Sequence, residues 1–189
     1  MMRVAQIIPR TESEGPGWRF AVWVQGCTLR CRGCCNPEMF PAEGGISEDP
    51  TALAVRAKQS NVEGISLLGG EPFEQAEACA AFAREARSLG LSVMVFSGYT
   101  LEELQTRENA ADLLAACDLL VDGRFEREKL DSSRRWIGSS NQRLHFLTPR
   151  YDAADPRFRD RQTAEIRLSR GELLMNGWPS LVPSLRWQR

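Results

Sequence analysis

Three cysteines in one short loop place the strongest constraint on how this chain folds. Cys27, Cys31 and Cys34 are spaced C-x3-C-x2-C between Gly26 and Pro37, so the loop has to turn three thiols toward a common centre. Three thiolates can anchor three corners of a cubane iron–sulfur cluster, whereas ordinary electron-transfer clusters take four. The fourth iron is then open to bind and reduce a substrate. Structural zinc sites usually pair two C-x2-4-C knuckles well separated in sequence, and no second knuckle follows here. Cys35 offers a further thiolate, but adjacent cysteines rarely both point at one tetrahedral metal. A disulfide framework fits poorly, since no secretory segment is evident and the remaining Cys79 and Cys117 are scattered. Such usage suits a reducing cytoplasm.

The surrounding pattern predicts strands alternating with helices. Arg3 to Ile8 and Trp18 to Val24 are strand-like, as are Gly64 to Leu68, Leu91 to Phe96 and Cys117 to Val121. Asp49-Pro50 reads as an N-cap with Pro at the first helical position, opening a helix to about Gln59. Cys79, Phe82, Ala83 and Ala86 recur at i, i+3, i+4, i+7 in a helix from about Glu74 to Leu89, which Gly90 stops. Thr100 with Glu103 reads as a capping box. This alternation implies a parallel sheet with crossover helices, in which chemistry collects at the C-terminal ends of the strands. Cys27, Gly69-Gly70, Ser97-Gly98 and Asp122-Gly123 each directly follow a predicted strand. One active site on one face of the sheet is therefore expected.

Within that site, Gly69-Gly70 allows close approach of the backbone to a ligand, and Glu71 offers a carboxylate to a cationic ammonium. Taken alone, Gly69-Gly-Glu-Pro72 also reads as a plain strand-to-helix turn. Cys79 and Cys117 fall on apolar stretches and suit core packing. His145, the only histidine, fits a strand residue better than a base. Asp122 is explained equally well by an Asp-Gly turn. The hydroxyls and amides of Gly138-Ser-Ser-Asn-Gln142 suit either a solvated loop or a grip on a ribose or a backbone strand.

The cysteine array, the preceding Ser13-Glu-Gly-Pro-Gly-Trp-Arg-Phe20 and the later Leu67-Leu-Gly-Gly-Glu-Pro72 together resemble the radical S-adenosylmethionine superfamily. Phe96-Ser-Gly-Tyr-Thr100, Leu119-Leu-Val-Asp-Gly-Arg-Phe125 and Gly138-Ser-Ser-Asn-Gln142 are similar to the small activating enzymes of glycyl-radical enzymes, those of anaerobic ribonucleotide reductase above all. The resemblance runs from about Met2 to Phe146. It implies a partial (β/α)6 barrel open at its side and a [4Fe–4S] cluster on Cys27, Cys31 and Cys34. It also implies S-adenosylmethionine bound at the open iron and contacted by Gly33, Cys34, Cys35, Gly69, Gly70 and Glu71. A low-potential donor such as a flavodoxin or ferredoxin would supply the electron, and a large anaerobic ribonucleotide reductase would receive a glycyl radical. Where these relatives commonly place Tyr after the third cysteine, this chain has Cys35, which removes aromatic packing on adenine there.

At 189 residues and 42% hydrophobic, the chain can bury a substantial core. A formal charge of −1 gives no global attraction to nucleic acid or membrane, and no apolar run approaches a membrane span. The organisation expected is a core domain over residues 1–148 and an extension over 149–189. Ala164 to Met175 reads as a β-hairpin turning at Ser169-Arg-Gly171 and ended by Gly177-Trp-Pro179, able to cover a sheet edge or dock a partner. Arg124 to Arg170 holds twelve basic and seven acidic residues, a local excess of positive charge open to an acidic partner or to a salt-bridged surface. Two other functions fit the same residues: a stand-alone radical enzyme acting on a small molecule or peptide, and a non-catalytic iron–sulfur or zinc module.

Overall fold

The computed structural model describes residues 1–160, 162–169 and 172–177. Strand β1 (Met2–Thr11) pairs antiparallel with β2 (Arg19–Val24) on one side and β3 (Ile46–Glu48) on the other. Helix α1 (Pro50–Gln59) leads to β4 (Gly64–Gly69), α2 (Ala76–Ser88) to β5 (Ser92–Phe96), and α3 (Leu101–Thr106) with α4 (Ala111–Ala116) to β6 (Leu119–Asp122). Strand β7 (Arg143–Phe146) closes a seven-stranded sheet of order β3-β1-β2-β4-β5-β6-β7. Strands β2, β4, β5 and β6 are mutually parallel, as the alternation predicts. The antiparallel flanks were not predicted. The link from Thr11 to Arg19 is too short for the crossover of a dozen or more residues that a parallel pair needs, so β1 has to fold back on β2.

Residue parity along the parallel strands divides the molecule. Phe20, Val22 and Val24, Ile65 and Leu67, Val93 and Val95, and Leu120 point to one side. There they meet Leu53, Ala54 and Ala57 of α1, Leu113 and Ala116 of α4, and the small inner residues of α2 in one apolar core. Cys79 is buried in α2 and Cys117 just before β6, both in this core, as expected. The intervening residues Ala21, Trp23, Leu68, Met94, Leu119 and Val121 point the other way, and among the described residues no α-helix covers them. They pack against Met39, Trp136, Ile137 and Tyr151 from connecting segments.

Local signals account for the helix starts. Asp49 accepts from the Ala52 N–H at 2.8 Å, with Pro50 at the first helical position. Thr100 and Glu103 form both hydrogen bonds of a capping box. The single helix expected from Glu74 to Leu89 is instead a 3-10 turn over Pro72–Gln75 followed by α2. Gly90, at φ 85°, ends α2 with its N–H on Arg87 O.

The extension does contain a hairpin, β8 (Ala164–Ser169) against β9 (Glu172–Gly177), as a separate two-stranded sheet. Its turn, Arg170-Gly171, and the segment from Trp178 onward lie outside the described residues. No helix among the described residues is long and apolar enough to cross a membrane.

Candidate functional site

The cysteine loop leaves the C-terminal end of β2 and is held from three sides. Gly26 and Cys27 donate backbone hydrogen bonds to Met39 O and Phe40 O at 2.9 and 3.1 Å. Thr28 N–H donates to the Glu74 carboxylate at 2.9 Å, and its hydroxyl donates to the same group. Gln75 bridges Arg3 and Gln25 through its side-chain amide. Left-handed backbone at Arg30 (φ 46°) and Gly33 (φ 78°) curls the loop. Arg127 lies so close over Gly33 that a Cβ there would meet its side chain at 2.9 Å.

Cys27, Cys31 and Cys34 are each half-buried, and Cys35 is exposed with its thiol donating to Cys34. Burial pushes the Cys27 and Cys31 thiols up. The hydrogen bond from Cys35 draws Cys34 down, helped by the Asn36 N–H at 3.4 Å. Among the described residues no three Cys, His, Asp or Glu side chains converge tightly enough to hold a single ion. The three thiols instead stand around a cavity of ≈ 680 Å³. A multi-iron cluster takes one thiolate per iron, which three cysteines lining one cavity can supply.

Gly69-Gly-Glu-Pro72 forms the adjoining wall. Gly69 has φ 100°, and a Cβ on it would meet Trp23 Cβ at 2.6 Å. Gly70 N–H donates to Val24 O and Glu71 N–H to Gly26 O, both at 2.8 Å. These glycines bring the turn onto the backbone that presents Cys27. Glu71 is buried; its carboxylate accepts from Phe73 N–H at 3.0 Å, Ser97 Oγ at 2.9 Å and Gly98 N–H at 2.8 Å. It thereby ties the ends of β4 and β5 together. About one of its four acceptor positions has no partner among the described residues. Burial raises its pKa to about 7.

The far wall follows β6. Gln142 Oε1 accepts from Gly138 N–H and Ser139 N–H at 2.9 and 3.1 Å, while its Nε2 donates to Gly123 O at 2.8 Å. Asn141 donates to Arg124 O at 2.8 Å. Gly138-Ser-Ser-Asn-Gln142 thus closes on itself and fastens to the Gly123-Arg124 turn that follows β6. Asp122 is buried and accepts from Leu101 N–H and Arg143, with His145 Nε2 at 2.9 Å. His145 sits in β7 opposite Leu120, as a strand residue should.

Cys27, Cys31, Gly33, Cys34, Cys35, Gly69, Gly70 and Glu71 all line this one cavity. So do residues the sequence did not single out: Ser13, Glu14, Trp136, Gln162 and Gly177. Ser13-Glu14 opened a motif already noted, but nothing in the sequence showed that Glu14 is buried. Its pKa is pushed up to about 7 by that burial. The basic excess after Arg124 is largely consumed internally. Arg124, Lys129, Arg134, Arg135, Arg143, Arg157 and Arg167 all pair with carboxylates.

Residues 13–145 match the family described as "4Fe-4S single cluster domain", so the α/β sheet and its thiol-lined cavity are those of a single-cluster iron–sulfur protein. The anaerobic ribonucleoside-triphosphate reductase-activating protein of Vibrio cholerae is 32% identical over 156 residues, covering 78% of this chain and 99% of the relative. The protein of the same name from Escherichia coli K12 is 31% identical over 156 residues, 77% of this chain and 99% of the relative. That of Enterobacteria phage T4 is 29% identical over 151 residues, 76% and 93% respectively. The chain belongs to the family of anaerobic ribonucleoside-triphosphate reductase-activating proteins.

Proposed function

We propose that this protein is a radical S-adenosylmethionine enzyme that installs a glycyl radical on an anaerobic ribonucleoside-triphosphate reductase. The observation that carries the reading is the convergence of three loop thiols, Gly69-Gly70 and Glu71 on one cavity at the C-terminal ends of parallel strands. In this reading the curved sheet and outer helices are the partial (β/α)6 barrel of that superfamily. Cys27, Cys31 and Cys34 hold three irons of a [4Fe–4S] cluster. When bound, the cluster supplies the electron that splits S-adenosylmethionine into methionine and a 5′-deoxyadenosyl radical, with a flavodoxin or ferredoxin as donor.

The chain's own residues bind, orient and exclude water. The Gly69-Gly70 backbone and the remaining acceptor position on Glu71 take the methionine ammonium. Gly33 and the Cys34–Cys35 backbone flank the adenosine, with no aromatic ring at Cys35. Leu68, Phe96 and Val121 give the cavity an apolar floor that keeps solvent from a reactive radical.

The test is anaerobic reconstitution with iron and sulfide, followed by assays for 5′-deoxyadenosine and electron paramagnetic resonance with the large reductase. A doublet from a backbone glycine of the reductase is expected. Accumulation of 5′-deoxyadenosine with a small metabolite and no protein radical would replace the activase by a stand-alone enzyme. Bound iron with no cleavage would leave a binding module.

A further inference from the structure

Two segments distant in sequence meet in the cluster cavity. The end of β9 lies against the strap of residues 11–14 that crosses the helix-free face of the sheet. Gly177 N–H donates to Glu14 Oε1 at 2.7 Å, and Asn176 Nδ2 donates to Thr11 Oγ1 at 2.7 Å and to Glu14 Oε1 at 3.4 Å. Further out, Glu12 N–H donates to Glu165 at 2.6 Å and Arg167 donates to Arg10 O. Gly177 fits only as glycine: at φ 90°, a Cβ would stand 2.8 Å from Ser13 Cβ. Glu14 and Gly177 both line the cavity, as does Cys35.

Three properties distinguish this hairpin from a permanent wall. It shares no ladder with the seven-stranded sheet and is fastened mainly through side chains. Its contact is incompletely satisfied, because Ser13 Oγ, Thr163 Oγ1 and Asn176 Oδ1 are buried with no hydrogen-bond partner among the described residues, as is Trp136 Nε1 elsewhere in the cavity lining. Finally, β8 leaves Ile166 52% and Leu168 77% exposed, while Met175 of β9 is buried, so part of the apolar surface of the docked hairpin stays open. It also lies outside the matched residues 13–145.

We propose that the C-terminal hairpin is a displaceable internal occupant of the channel through which an extended peptide segment reaches the cluster. Gly177 stands where the backbone of that segment will lie. Once the hairpin leaves, Glu14 can accept a backbone N–H of the incoming segment, and Trp136 Nε1 and Ser13 Oγ can donate to its carbonyls. An extended peptide carries both kinds of group at every residue, and a partner presenting it gives Ile166 and Leu168 apolar surface to meet. This rests on the reading that the substrate is a segment of a partner protein.

The test is hydrogen exchange on the full-length, cluster-loaded protein, alone and with the large reductase, alongside radical yield. Reductase binding should raise exchange across residues 164–177 at least tenfold. Gly177→Ala, whose Cβ collides with Ser13 and the Thr163 carbonyl, should raise it without the reductase. It should also lower the reductase concentration for half-maximal radical formation several-fold. Asn176→Ala, which removes one latch bond without a collision, should do the same more mildly. Added protection of the hairpin on reductase binding, or a raised half-maximal concentration in both variants, makes the hairpin a fixed wall and overturns the proposal. A radical formed with the hairpin protected refutes displacement alone. Hairpin release on binding without a radical refutes only the radical chemistry.

Discussion

The two faces of the parallel sheet are built from alternate residues of the same strands and have opposite chemistry. On the helix-covered face, Val22, Ile65, Leu67, Val93 and Leu120 meet alanines and leucines, and the buried contacts are apolar. On the other face the same strands contribute Arg19, Ser66 and Ser92 at their N-terminal ends, and Leu68, Phe96 and Val121 beside the cavity. Arg19 is fully buried and forms no ion pair with a carboxylate among the described residues. Its guanidinium donates to Ser66 Oγ at 3.1 Å, Ser92 Oγ at 2.5 Å and Tyr151 OH at 3.3 Å, and Tyr151 in turn donates to Glu63 at 2.7 Å. Burial lowers its pKa, and the remote Glu63 charge opposes that. One face is a non-directional apolar core; the other combines apolar packing with a buried polar network in which Arg19 depends on its specific partners. Stability and chemistry are thus divided by strand parity, and substitutions should separate them.

The largest expected effect is on chemistry alone. Cys27→Ala, Cys31→Ala or Cys34→Ala should abolish cluster binding and S-adenosylmethionine cleavage together, read as iron, sulfide and 5′-deoxyadenosine. The metal-free fold should unfold at the same urea midpoint, since these thiols are only half-buried in a loop. Cys35→Ala should keep its full iron content; losing it would point to a four-cysteine site. On the opposite face, Leu67→Ala should cost about 2–5 kcal/mol, as a fully buried leucine leaves a cavity among α1 and α2. It should leave cluster stoichiometry intact in the fraction that folds. Equal loss of both properties in either set would erase the division between the faces.

How much was legible in advance follows the same division. Short apolar runs located β2, β4, β5 and β6, and the i, i+3, i+4, i+7 period located α2, each to within a few residues. The eight residues assigned to the cavity were legible because each sits in a motif directly after a strand. The rest depended on tertiary approach. Glu14 becomes part of the site only because β1 folds back on β2 and the hairpin lands on the strap between them, a contact across 163 residues. Strand β3 has only three residues, too few for an alternation to register. The basic stretch after Arg124 was legible as charge, but the pairing that neutralises much of it was not.

Buried acids sharpen the comparison through pH. Glu14 and Glu71, both on the cavity side, are raised from 4.5 to about 7 by burial. A raised carboxyl pKa means that the folded state binds more protons than the unfolded chain between about pH 4.5 and 7, so stability should fall as pH rises through that window. For Glu14 the full effect is roughly 3 kcal/mol. Glu14→Gln is close to isosteric, and the Oε1 that meets Gly177 can remain an acceptor. The variant should match wild type near pH 4.5, exceed it at pH 8, and halve the slope between, measured by urea midpoints of the metal-free full-length chain. An unchanged slope would mean that Glu14 is hydrated and ionised in the fold.

The smallest effect tests whether a local helix signal beside the cavity belongs to the stabilising side. Thr100 follows Ser97-Gly98, whose groups bind Glu71, yet its own bonds go to helix α3. Its hydroxyl accepts from Glu103 N–H at 3.2 Å, and Glu103 Oε2 accepts from Thr100 N–H at 2.8 Å. Thr100→Ala removes the first bond and leaves an N–H at the exposed start of the helix, where water can replace part of it. The cost should be about 1 kcal/mol. Because the Ser97 hydroxyl and the Gly98 N–H that bind Glu71 are untouched, iron content and the rate of 5′-deoxyadenosine formation should be those of wild type. A fall in cleavage rate with little change in urea midpoint would show that α3 positions the Ser97-Gly98 turn, and that the boundary between the two regions lies beyond Thr100.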